Sequence, residues 1–123
     1  MANGLEPTPH PDLDRLLQDI EHLASICDIA TSGSTRRVFS AEYLAGREFV
    51  ARRMDDAGLD TSYDGVGNLI GTRPGESGAL VTGSHTDTVD GGGRLDGVLG
   101  VLGAIEAIRS LDEAGIKLDH ELR

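Results

Sequence analysis

The chain has one cysteine, Cys27, no tryptophan, and only two tyrosines and two phenylalanines. A lone cysteine excludes an intrachain disulfide. The first residues also lack the basic start and apolar run of a secretory signal, so a reducing cytoplasm is the expected compartment. With so few aromatics and 17 glycines among 123 residues, the sequence supports one small domain with a thin, mainly aliphatic core. Basic residues are scarce as well, 11 against 21 acidic, and the formal charge of -10 repels nucleic-acid phosphate and anionic membrane. No apolar run approaches the roughly 20 residues that span a bilayer. The expectation is a soluble chain that partners neither nucleic acid nor membrane.

What is present has order. Residues 1–10 hold prolines and no periodic apolar pattern, and read as a flexible leader. From Pro11 onward Leu13, Leu16, Leu17, Ile20, Leu23 and Ile26 recur at helical spacing, with Asp12 and Asp14 at the positive end of the helix. Cys27 falls late in this pattern among apolar neighbours and reads as core rather than nucleophile. A polar loop over 31–40 precedes a second helix that Ser40 can cap and Gly58 stops, its buried stripe being Tyr43, Val50, Met54 and Ala57. Leu59–Asp64 and Asn68–Thr72 predict two strands joined tightly around Gly65 and Gly67. A surface turn over 73–78 leads into Ala79–Thr82, which reads as a buried strand delivering side chains from its C-terminal end. Val98–Leu111 is a third helix, with Gly97, Gly100 and Gly103 at three-residue spacing where the backbone can pack closely, and Gly115 ends it. Leu118–Arg123 opens a further strand.

The most informative segment is Ser84–Gly97, which sets His85, Asp87 and Asp96 around a glycine-rich turn. His85 and Asp87 stand two apart, so extended geometry would put both side chains on one face. A metal-bound imidazole gives its second N–H to a carboxylate, which fixes the tautomer, and Asp87 is placed for that role. Asp96 returns from the turn as a hard anionic ligand able to bridge two cations ~3.5–4 Å apart. Two plainer readings compete: His85 as an ordinary polar residue at a strand end, and Asp96 as a cap for the following helix. His10, His22 and His120 are weaker candidates, in the leader, on a polar helix position and beside a strand start. A phosphate cradle is disfavoured, because no Gly-Lys-Ser/Thr or G-x-G-x-x-G pattern is present and Asp87, Asp90 and Asp96 would repel phosphate.

Four segments, Gly33-Ser-Thr-Arg36, Asp64-Gly-Val-Gly-Asn-Leu69, Gly83-Ser-His-Thr-Asp-Thr-Val89 and Gly92-Gly-Arg-Leu-Asp-Gly97, taken in this order and spacing, resemble the metal-dependent amidohydrolases of the N-carbamoyl-L-amino-acid hydrolase and allantoate amidohydrolase type. These belong to the wider aminoacylase and carboxypeptidase superfamily. The resemblance runs from about Gly33 to the end of the chain. It implies an α/β fold with a helix-flanked mixed sheet, the N-terminal portion of a di-metal hydrolase catalytic domain, with 11–123 as a partial catalytic domain. It implies that His85 binds one metal, that Asp96 bridges two, and that Asp87 stands behind His85 and orients it. The implied cofactors are two divalent ions, zinc, manganese or cobalt.

The implied activity is metal-assisted hydrolysis of a non-peptide C–N bond in N-carbamoyl-L-amino acids or ureido acids such as allantoate, by a complete enzyme that is a homodimer. Relatives of this type go on to a Glu-Glu pair, later histidines and an inserted lid domain, so the 123 residues alone are expected to be inactive, to bind metal weakly and to fold marginally. The alternative from another class is a non-catalytic remnant that acts as a protein-binding module. Arg36 and Asn68 are open between holding loops together and touching substrate.

Overall fold

The computed structural model describes residues 8–123. Most of the predicted leader, residues 1–7, lies outside the described residues; Thr8 to His10 have neither helix nor strand. Three helices and four short strands follow in the order α1 (Leu13–Ser25), α2 (Ala41–Asp56), β1 (Asp60–Tyr63), β2 (Leu69–Thr72), β3 (Ser77–Leu80), α3 (Val98–Glu113) and β4 (His120–Leu122). No helix among the described residues is long and apolar enough to cross a membrane.

Local chemistry sets the helix ends. Asp12 caps α1 by accepting the Arg15 amide, and Ser40 caps α2 by accepting that of Tyr43. At the other ends, Gly58 and Gly115 take the positive φ that a side chain resists, and the amides of Leu59 and Ile116 reach back to the Met54 and Leu111 carbonyls. Both glycine stops were legible in the sequence.

The strands form two small sheets. β1 and β2 are an antiparallel hairpin, Asp60 opposite Thr72 and Tyr63 opposite Leu69. β3 and β4 pair in parallel, and Arg73, just past β2, bridges to Leu122 of β4. The architecture is the expected helix-flanked mixed sheet. One expectation is corrected: the run Ala79–Thr82 is not a buried strand. The strand spans Ser77–Leu80 and every residue in it is exposed, because only β4 pairs with it and no helix lies over its faces.

The core joins the three helices through Ile20 and Leu23 of α1, Phe49 and Val50 of α2 with Ala57 just after it, and Val98, Val101, Leu102 and Ile105 of α3. Phe49, absent from the predicted stripe of α2, is buried. Leu13 and Leu17, included in the stripe of α1, are more than half exposed. The reason is that α1 spends its inward face on salt bridges as well as aliphatics. Buried Glu106 of α3 accepts Arg15 Nη2 at 2.7 Å and Nε at 2.8 Å, and also the Asp12 amide at 2.8 Å. Buried Asp19 of α1 accepts Arg53 of α2 at 2.7 Å and Arg109 of α3 at 3.0 Å. No spacing rule draws attention to either carboxylate, since an isolated Asp or Glu in an acidic chain reads as surface.

The Arg15 guanidinium, helped by the Asp12 amide, holds the Glu106 carboxyl below its ordinary range against the opposing effect of burial. A depressed folded-state pKa contributes stability that is present above the unfolded value and lost as pH falls through the folded one. Arg15→Ala leaves a buried carboxylate without its cation and is expected to cost about 3 kcal/mol. Urea unfolding should show this deficit in full at pH 7 and a much smaller one at pH 3; an equal deficit at both would mean that the pair contributes nothing through charge.

Candidate functional site

Between β3 and α3 the chain runs from Val81 to Val89 without helix or strand. A segment with no ladder of its own must be held by something else, and the holder is the loop that connects α1 to α2. Ser34 donates its amide to the Gly92 carbonyl at 3.0 Å, Gly91 donates to Thr35 Oγ1 at 2.9 Å, and Arg36 and Thr88 share two bonds, Thr88 N–H to the Arg36 carbonyl at 3.0 Å and Arg36 N–H to the Thr88 hydroxyl Oγ1 at 2.8 Å. Gly33 has φ +69°, and a Cβ there would come within 2.8 Å of the Gly91 backbone. The Gly33–Arg36 motif is therefore the strap over residues 86–92.

Arg36 fastens the strap. Its side chain is fully buried, and it donates Nε to the Thr86 carbonyl at 2.7 Å and Nη1 to the carbonyls of Leu23 and Ile26, both at 2.8 Å. Those two carbonyls lie at the C-terminal end of α1, where helix carbonyls lack partners and the dipole favours a cation. Burial pulls the guanidinium pKa down from its ordinary value. Of the two uses left open for Arg36, holding loops is the one the structure displays. The same holds for Asn68, whose side-chain amide donates to Asp64 Oδ2 at 2.8 Å within the β1–β2 turn.

The strap leaves His85, Asp87 and Asp96 together. His85 Nδ1 lies 2.9 Å from the Asp87 backbone carbonyl and 3.6 Å from its carboxylate, while Nε2 lies 3.9 Å from Asp96 Oδ2. The carbonyl is the nearer of the two groups Asp87 offers. A carbonyl accepts only, so Nδ1 carries the proton, and Nε2 is the ring nitrogen that faces Asp96. All three side chains are open to solvent.

Asp96 is not spent as a helix cap. The cap position of α3 is Gly97, and the first amides of α3 are taken by backbone carbonyls: Val98 by Asp96, Leu99 by Leu95, Gly100 by Gly97. The neighbouring Asp90 is turned aside and paired with Arg37 at 2.6 Å, which holds its carboxyl below the usual range. Gly100 packs closely as expected, since a Cβ there would meet the Ser84 Cβ at 2.9 Å, but Gly103 faces open space. His10, His22 and His120 lie outside this constellation; His22 stacks on Phe49 with ring centroids 4.6 Å apart.

Two ligands on one tetrahedral zinc, each about 2.0–2.2 Å away, are separated by roughly 3.4 Å. The imidazole and carboxylate, at 3.9 Å, fit two such positions after a small side-chain adjustment. Among the described residues no third histidine, cysteine, aspartate or glutamate completes a cluster.

No protein-family profile matches the chain. It is similar to a ureidoglycolate hydrolase of Oryza sativa subsp. japonica, 39% identical over 109 residues that make up 86% of this chain and 22% of that protein. It is also similar to an N-carbamoyl-L-amino-acid amidohydrolase of Pseudomonas sp. (strain NS671), 38% identical over 112 residues, 89% of this chain and 27% of the relative. Among solved structures, a hydantoinase/carbamoylase family amidase from Burkholderia ambifaria superposes with a TM-score of 0.86 at 35% identity, over 94% of this chain and 29% of that one. The chain thus spans about a quarter of the length of the proteins it matches.

Arg36→Ala strips the donors from three carbonyls at once and is expected to cost about 3 kcal/mol. Arg36→Lys should recover only part, because one ammonium cannot reproduce the planar fork that serves both α1 and Thr86. Urea denaturation of the two variants measures this, and a loss under about 1 kcal/mol for the alanine variant would refute the strap.

Proposed function

The chain belongs by descent with the N-carbamoyl-L-amino-acid and allantoate amidohydrolases, whose hydantoinase/carbamoylase-type fold it shares over nearly its whole length, and on that premise we propose that residues 11–123 are part of the catalytic domain of a hydrolase cleaving the C–N bond of N-carbamoyl amino acids or ureido acids. One observation carries this reading: an imidazole whose Nδ1 is committed to the Asp87 carbonyl and whose Nε2 faces an unspent aspartate across 3.9 Å.

In this proposal His85 would hold one divalent ion through Nε2, and the Asp96 carboxylate would serve both ions of a pair. The Asp87 carbonyl fixes the tautomer, and its carboxylate, 3.6 Å from the same ring nitrogen, adds negative charge behind the imidazole and strengthens it as a donor. Bound divalent ions of this kind polarise a carbonyl and lower the pKa of water towards neutrality. Zinc, manganese and cobalt all suit one imidazole with carboxylates. Thr86 and Thr88, fixed through Arg36, keep the His85–Asp87 segment in place while Asp96 is presented from the start of α3. A catalytic zinc takes about three protein ligands; these residues supply two. We assign the complete enzyme to the cytoplasm and to a homodimer acting on small ureido or carbamoyl substrates.

Titrating zinc into the purified chain tests the assignment. The expected result is binding weaker than about 10 μM, the range open to two ligands rather than a closed site, with no hydrolysis of N-carbamoyl amino acids. His85→Ala and Asp96→Ala should each abolish the residual binding. Low-micromolar or tighter affinity, or binding that survives both replacements, would contradict the assignment of these two ligands.

A further inference from the structure

Asp96, Gly97 and Val98 form a γ-turn of the rare kind. Gly97 has φ +69° and ψ -42°, and the Val98 amide closes on the Asp96 carbonyl at 2.8 Å. The turn brings the Gly97 α-carbon against His85. A Cβ built on Gly97 would lie 2.6 Å from the His85 ring carbon Cε1 and 2.7 Å from Cδ2, and would collide with the His85 backbone carbonyl. The ring and its own carbonyl thus occupy the volume that any side chain at position 97 would need.

We infer that Gly97 is a positioning residue: its bare α-carbon is the seat of the His85 imidazole, and it holds Nε2 towards Asp96, its neighbour in the chain. The same three-residue turn does two jobs. It aims the Asp96 carboxylate away from the helix it precedes, and it supplies the flat place on which the opposing ring rests. The distance between the two groups is therefore set by one residue rather than by two independent loops. Rigid support of this kind is what metal ligands need, because a ligand free to rotate is poorly preorganised. The step from ring placement to metal affinity rests on the proposed metal site; the ring placement itself does not.

The test has two parts. In the labelled full chain, aromatic-edited NOE spectra should give cross-peaks from both His85 ring protons, Hδ2 and Hε1, to the Gly97 α-protons, with the His22–Phe49 ring contacts as the internal control. Manganese(II) is then added as the probe, and line broadening at His85 and Asp96 is followed in wild type, Gly97→Ala and Gly103→Ala. The expected outcome is a manganese Kd at least about tenfold weaker for Gly97→Ala, with amide spectra elsewhere unchanged, and no effect of Gly103→Ala, since that position faces open space. Gly97→Ala in a His85→Ala background should cost no further affinity. A glycine needed only to start α3 would lower thermal stability and leave the Kd of the folded protein unchanged, which overturns the inference. So does the absence of both ring cross-peaks while the control is present, a result that stands even where Gly97→Ala does not fold. Cross-peaks in a wild-type chain that shows no manganese broadening retire the metal site and uphold the seat.

Discussion

The rest of the site depends on one buried guanidinium. Arg36 sits where α1 ends, the strap begins and the His85 segment passes, and it donates to a carbonyl from each of the two elements it joins. Burying a cation is costly unless its hydrogen bonds are made, so this position selects strongly for one arrangement of all three pieces. The backbone pairing of Arg36 with Thr88 and the close approach of Gly33 to Gly91 then follow from a register already fixed. Side chains on an irregular segment need such an external brace, because no ladder supplies one.

The same economy runs through the molecule. An acidic chain repels itself, and its few cations are placed where they relieve that repulsion and tie elements together. All but one of the basic residues are arginines, and each makes an ion pair or a hydrogen bond to a carbonyl. The planar fork lets Arg15 grip two carboxylates, and buried Asp19 collects arginines from both other helices. The thin aliphatic core is thus supplemented by a polar lattice across α1, α2 and α3.

Local signals in the sequence were read correctly where the physics is local. Ser40, Gly58 and Gly115 act through their own backbone geometry, and the β1–β2 hairpin through the glycines of its turn. The proximity of His85, Asp87 and Asp96 was legible because a motif around a glycine turn is visible in one dimension. What sequence could not give was tertiary: that Glu106 and Asp19 are buried, that Phe49 joins the core, that Leu13 and Leu17 do not, and that the run at Ala79–Thr82 lies open. Each depends on which neighbour covers a residue. That the nearer Asp87 group is its carbonyl rather than its carboxylate is a matter of ångströms that period-two reasoning cannot supply. Gly97 was noticed for its spacing with Gly100 and Gly103, yet its neighbour is the imidazole, and that follows only from the positive φ at the turn.

The parallel pair of β3 and β4 has a bearing on how the chain assembles. Its partners, Ser77 with His120 and Leu80 with Leu122, stand on either side of the whole glycine turn and α3. The β1–β2 hairpin closes a short loop, whereas this pair closes one of several turns of helix and carries the larger entropic cost. Docking of α3 on α1 shortens that loop and lowers the cost of the ladder. The placement of β3, the strand that leads into His85, is thus tied energetically to the packing of the helices.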